Sequence, residues 1–241
     1  DQTGAKQGTL KTYLQDAFDA GARLLVGTHA ERILVEQGRA AGVEATATVN
    51  GEPRRITVRA PQVVVACGAL ETPALLLRSG IGGPAVGQYL RLHPAGLTAG
   101  VYADDQRAWW GPPQSGILKT FAAREDGHGF IIEGVQYGPG LIASGLPWTG
   151  GAAHKELMSK FARMAVFVSI VQDRGHGRVT IDEQGQAVHT YAVTDELDVR
   201  NFHAGIAESI RLHEAAGAEE IIALAPGVRP WKRGDDLEAF I

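Results

Sequence analysis

The sequence predicts an α/β fold, α+β overall, on three observations. Val63-Val64-Val65-Ala66-Cys67 is an apolar run without alternation that gives way to helix signals, the pattern of a strand buried on both faces of a mostly parallel sheet. Short strand-like runs separated by Gly38-Arg39, Asn50-Gly51 and Gln184-Gly185 predict antiparallel hairpins. A long amphipathic stretch from Thr194 to Ala216 predicts a helix late in the chain.

The first element is a helix. Leu10, Tyr13, Leu14, Ala17 and Phe18 recur at helical spacing, with Thr9 as cap and Gly21 just past the end. Strand-like runs follow at Ala22 to Val26, Arg32 to Val35, Gly42 to Val49 and Arg55 to Val58, and Asn50-Gly51 tolerates the positive φ of a two-residue hairpin turn. The valine run then ends at Gly68, where Thr72 fits a helix N-cap and Pro73 the first helical position. From about Pro94 to Ser169 glycine, proline and scattered aromatics replace periodicity, which predicts strands and long loops. Arg178 to Asp182 and Ala187 to Val193 flank the Gln184-Gly185 turn. Thr194 is expected to cap the long helix, with Asp195 and Glu196 in its first turn and Gly217 at its end. Glu220 to Leu224 closes the series as a strand.

Composition narrows the partners. A formal net charge of -4 without a Lys/Arg run argues against a nucleic-acid partner, because such binding rests on clustered positive charge. The apolar runs fall far short of the ~20 residues that span a bilayer. The single cysteine, Cys67, forms no internal disulfide or thiolate cage and is compatible with a reducing cytoplasm. No metal site is expected. Asp1 in place of Met, a helix pattern opening at Thr9 and a helix just beginning near Ile241 read as a piece of a longer fold.

The Cys67-Gly68-Ala69-Leu70-Glu71-Thr72 turn carries most of the chemical interest. A strand-to-helix turn aims backbone N–H groups and the positive helix end at the sheet edge where α/β folds hold phosphates. Gly68 would admit a ligand close to the backbone, and Thr72 offers a hydroxyl. An ordinary βα connection with a packing glycine has the same local residues.

Residues Gly68-Ala69-Leu70-Glu71-Thr72-Pro73-Ala74-Leu75-Leu76-Leu77-Arg78-Ser79-Gly80-Ile81-Gly82 fit the second signature of the glucose-methanol-choline (GMC) oxidoreductases at every constrained position. Thr12-Tyr13-Leu14, Ala30-Glu31-Arg32-Ile33-Leu34, Gly38 to Glu44 and Leu90-Arg91-Leu92-His93-Pro94 resemble the same family in the expected order, with the long-chain fatty alcohol oxidases the most similar branch. The resemblance is dense to Pro94 and sparse after it.

It implies part of an FAD-binding Rossmann-like domain plus an antiparallel-sheet substrate domain. Residues 1–94 would belong to the first, 95–193 to the second, and 194–241 would form the long helix and a return toward the FAD domain. FAD is the implied cofactor and a small-molecule alcohol the implied substrate. The resemblance places Ala30 near the adenine and Ala66, Cys67, Gly68 and Thr72 at the ribose and diphosphate. Family members also carry a Gly-x-Gly-x-x-Gly turn after a strand, which these residues lack; Gly80-Ile81-Gly82-Gly83-Pro84-Ala85 follows a helix and contains a proline. The family's catalytic histidine falls in a later segment, so no catalytic residue is assigned, and these 241 residues alone are expected to be inactive.

His93, at the expected crossing between domains, fits a place near the flavin and a surface role equally. Trp109 and Trp110 suit an apolar substrate channel, although core packing is the commoner role of tryptophan. His203 and His213, ten apart, do not share adjacent helical turns and so do not suggest a metal pair. Ser79 lacks a nucleophile elbow. Two alternatives differ in class. One is a noncatalytic GMC-like module that binds a partner chain or small molecule; the other is an NAD-dependent α/β enzyme, which would need the glycine-rich loop that is missing here.

Overall fold

The computed structural model describes residues 4–114, 116–225 and 227–241. In chain order the first elements are α1 (Tyr13–Asp19), β1 (Thr28–Glu36), β2 (Arg39–Val49), β3 (Glu52–Arg59), α2 (Gly68–Arg78) and β4 (Gln88–Leu90). Next come β5 (Ala95–Val101), β6 (Ile117–Leu118), β7 (Phe130–Val135), α3 (Pro139–Gly145), α4 (Gly151–Ser159) and β8 (Met164–Val171). The chain closes with β9 (Gly177–Ile181), β10 (Ala187–Thr190), α5 (Glu196–Ala215), β11 (Glu220–Ala223), β12 (Trp231–Lys232) and α6 (Leu237–Phe240). Two compact units result, one built from residues 6–91 and 176–192, the other from 92–175 and 193–241.

In the first unit β1, β2 and β3 form an antiparallel meander. Its turns hold Gln37 and Gly38 at φ 51 and 76, and Asn50 and Gly51 at φ 53 and 83, the doubly positive pairs that match strand twist in tight hairpins. A second small sheet orders β10-β9-β4, and α2 packs Ala74 against Leu90 and Val179 beneath it.

Two predicted strands do not form. Residues 22–26 and 63–66 pair with no strand among the described residues, and Val26 and Val64 are 78% and 89% exposed. Their apolar, β-branched composition favours a ladder, but strand propensity is realised only against a neighbour. Likewise α1 forms with its Gly21 stop at φ +89, yet Leu10 and Tyr13 stay exposed. The second helix also starts earlier than predicted: α2 begins at Gly68, leaving Thr72 and Pro73 inside it.

The second unit is a six-stranded antiparallel sheet ordered β12-β11-β5-β8-β7-β6. Helix α5 is capped by Asp195, one residue later than the sequence suggests; its carboxylate accepts the N–H groups of Leu197 and Asp198 at 2.9 and 3.4 Å. The helix crosses one face closely because glycines remove the side chains in its path. A Cβ on Gly96 would strike Ile206, one on Gly100 would strike His213, and one on Gly205 would strike Ser169. On the opposite face Ile142 of α3 and Leu146 just past its end, with Tyr137, cover Ala99, Val101, Met164 and Val166.

Candidate functional site

The start of α2 is open. Gly68 has φ +84, a conformation that side-chain-bearing residues rarely adopt, and a Cβ there would meet nothing within 4 Å. Ala66, Cys67 and Gly68 are exposed. Cys67 precedes the helix without a side-chain cap, and its own N–H donates at 3.0 Å to the Thr72 hydroxyl, which reaches back from five residues on. The positive end of the α2 dipole therefore faces free space, with Glu71 the one acidic residue of the first turn.

The other end of the same helix is locked to the meander. The Arg78 guanidinium donates to the carbonyls of Gly185, Glu31 and Ala30 at 2.9, 3.2 and 3.3 Å. Ser79 accepts the Ile33 N–H at 2.9 Å and donates to the Leu75 carbonyl at 2.6 Å. Ala30 lies where the β1–β2 register slips, half-buried, its carbonyl held by Arg78. Sequence reasoning named Ala30 and Thr72 but gave Arg78 and Ser79 no structural task. The available signal was their place inside the signature, where an arginine fork can satisfy several carbonyls of neighbouring segments.

In the sheet unit, His93 borders a cavity of about 300 Å³ lined also by Ala122, Phe130, Ile131, Ile170 and Gln172. His93 itself sits at φ +40. That conformation is pinned from both sides: Leu92 N–H donates to the Asp173 carboxylate at 3.1 Å, and the Pro94 carbonyl accepts from Val171 N–H at 2.9 Å. Ile131 and Ile170 are direct cross-strand partners and, by alternation from Ser169 under α5, point to the face away from that helix. The tryptophans lie elsewhere. Trp109 stacks on Phe161 with centroids 5.1 Å apart, and Trp110 borders a separate cavity of about 180 Å³ with Pro112, Val135 and Phe167. Ile131, Ile170 and Asp173 could not be read from the sequence: strand pairing joins the two isoleucines, and a hydrogen bond to a residue 81 positions away ties Asp173 to the turn.

Among the described residues no group of three His, Cys, Asp or Glu could hold a metal ion, and no helix is long and apolar enough to cross a membrane.

Comparison with known proteins decides the family. Residues 1–95 match the family model described as GMC oxidoreductase. These residues belong to the GMC oxidoreductase family. Similarity to GMC proteins runs on through the remaining residues. A long-chain-alcohol oxidase of Arabidopsis thaliana is 34% identical over 234 residues, 90% of this chain and 31% of its own length. An uncharacterised GMC-type oxidoreductase of Mycobacterium tuberculosis is 35% identical over 237 residues, 98% of this chain and 36% of its own. A C-glycoside 3-oxidase of Microbacterium trichothecenolyticum is 58% identical over 59 residues, 24% of this chain and 11% of its own. The chain thus spans about a third of the length of the first two relatives. The GMC signature stretch is the one that forms α2, so the open Gly68 turn and the Arg78–Ser79 lock are its physical content.

Proposed function

We propose that the protein at its natural length oxidises a primary, long-chain alcohol to an aldehyde with FAD, and that this chain supplies part of the walls for both. The observation that carries the reading is the Gly68 turn: a family signature that presents uncapped helix amides to empty space. Such a turn fits the sugar–phosphate part of a dinucleotide, because backbone amides and a helix dipole favour a phosphate and the missing Cβ allows close approach. Glu71, exposed in the same turn, is held back by Arg78 at 3.7 Å.

On this reading residues 1–94 are part of the FAD domain, with Ala30, Ala66, Cys67, Gly68 and Thr72 at the cofactor, and 95–193 most of the substrate domain. When bound, the flavin supplies a hydride acceptor for the alcohol carbon. Thr72 fixes the Cys67 amide. Asp173 holds the His93 turn in place, and Ala122, Phe130, Ile131 and Ile170 line the cavity beside it. The base that takes the hydroxyl proton is not assigned to these residues.

The 58% identity to a C-glycoside 3-oxidase favours a second reading, oxidation of a sugar hydroxyl. One experiment separates them. The purified natural-length protein should carry visible flavin absorbance that bleaches when decanol is added without oxygen, with decanal formed. Bleaching by a C-glycoside but by no primary alcohol would select the second reading, and a protein without flavin would overturn both.

A further inference from the structure

We propose that the cavity beside His93 binds the hydroxyl end of an unbranched alkyl alcohol, and that the cross-strand pair Ile131 and Ile170 sets the width of chain it accepts. The assignment rests on the alcohol-oxidation reading and makes it specific, moving the selectivity away from the tryptophans.

The lining has the chemistry of a neutral amphiphile site. Ala122, Phe130, Ile131 and Ile170 present hydrocarbon, while His93 and Gln172 offer hydrogen bonds, and no Lys, Arg, Asp or Glu lines the space. An ionised ligand would find no carboxylate, ammonium or guanidinium in this lining to pair with. A hydroxyl needs only one donor or acceptor, which His93 or Gln172 provides. At ~30 Å³ for each heavy atom of liquid-like packing, 300 Å³ accommodates about ten heavy atoms, enough for the head and first carbons of a longer chain.

Position supports the same assignment. Non-glycine residues at positive φ are held only when their surroundings over-determine them, and such sites cluster where ligands are gripped. His93, at φ +40 and followed by Pro94, is held by Asp173 through Leu92 and by Val171 through Pro94. Ile131 and Ile170 stand side by side across β7 and β8 and both line the cavity, so one added ring at either position takes up its space. The Trp110 cavity shares no lining residue with this one.

The test is equilibrium binding of hexanol, octanol and decanol to the natural-length protein, followed by calorimetry, alongside kcat and KM for the same alcohols. Each added methylene should tighten binding roughly fourfold until the cavity is full. Ile131→Trp and Ile170→Trp should weaken decanol binding at least tenfold and raise KM more than they lower kcat. Ile170→Ala should shift preference toward branched alcohols, a gain that misfolding cannot mimic. Trp110→Ala should leave affinity unchanged. If decanol does not bind, or binds equally to both tryptophan variants, the cavity assignment is overturned, even in an enzyme that oxidises alcohols. If decanol binds as predicted but no alcohol is oxidised, the cavity stands and the functional reading falls.

Discussion

The Tyr102 hydroxyl lies 2.8 Å from His213 Nδ1, in the buried seam where α5 crosses β5. His213 Nε2 lies 3.3 Å from the Thr98 carbonyl, and Phe167 stacks on the imidazole at 4.2 Å. Tyr102, pushed up to about 12 by burial, stays a neutral donor to Nδ1, and the neutral ring donates from Nε2. Burial lowers the His213 pKa from 6.5 to about 4. The unfolded chain therefore binds a proton at His213 that the folded unit refuses, and stability is full above pH 6.5 and falls as pH drops from 6.5 toward 4. The loss approaches about 3 kcal/mol at the acid end. Urea unfolding at neutral and mildly acidic pH should show it, and His213→Gln should flatten that dependence.

Gly100 faces the same ring. Any Cβ there overlaps His213, so Gly100→Ala overpacks the seam and should destabilise the unit by about 1–3 kcal/mol, read as a lower denaturant midpoint at unchanged slope. A Gly134→Ala control, with no atom within 4 Å of the added carbon, should move the midpoint much less.

Arg78 should not tolerate lysine. Its fork holds three carbonyls, and an ammonium cannot reproduce that planar geometry. Arg78→Lys should lower stability by about 1 kcal/mol and Arg78→Met by about 2 kcal/mol. Hydrogen exchange should quicken at the start of β1 and around Gly185, the segments the fork ties together.

Elements fixed by neighbours in sequence were legible, and elements fixed by distant partners were not. The Asn50-Gly51 turn and α5 carry their own backbone signals, and both stand where the residues indicate. β5 was hidden because Gly96 and Gly100 weaken its strand pattern, and their reason is the helix pressing from above. The valine run failed in the other direction: its composition is that of a buried strand, but no strand among the described residues pairs with it. At the candidate site, the Gly68 turn could be read from a motif. The His93 cavity could not, since its floor comes from two strands whose register joins Ile131 to Ile170.

On the proposed function, the Gly68 turn is a wall of the flavin site. Gly68→Asn in the natural-length protein tests it most directly, because asparagine tolerates positive φ better than other side chains and none of the described residues lies within 4 Å of the added Cβ. Thermal unfolding of the flavin-free variant should stay close to that of the parent, together with a clear loss of visible flavin absorbance and weaker FAD binding on reconstitution. Flavin content and affinity equal to the parent's would contradict it.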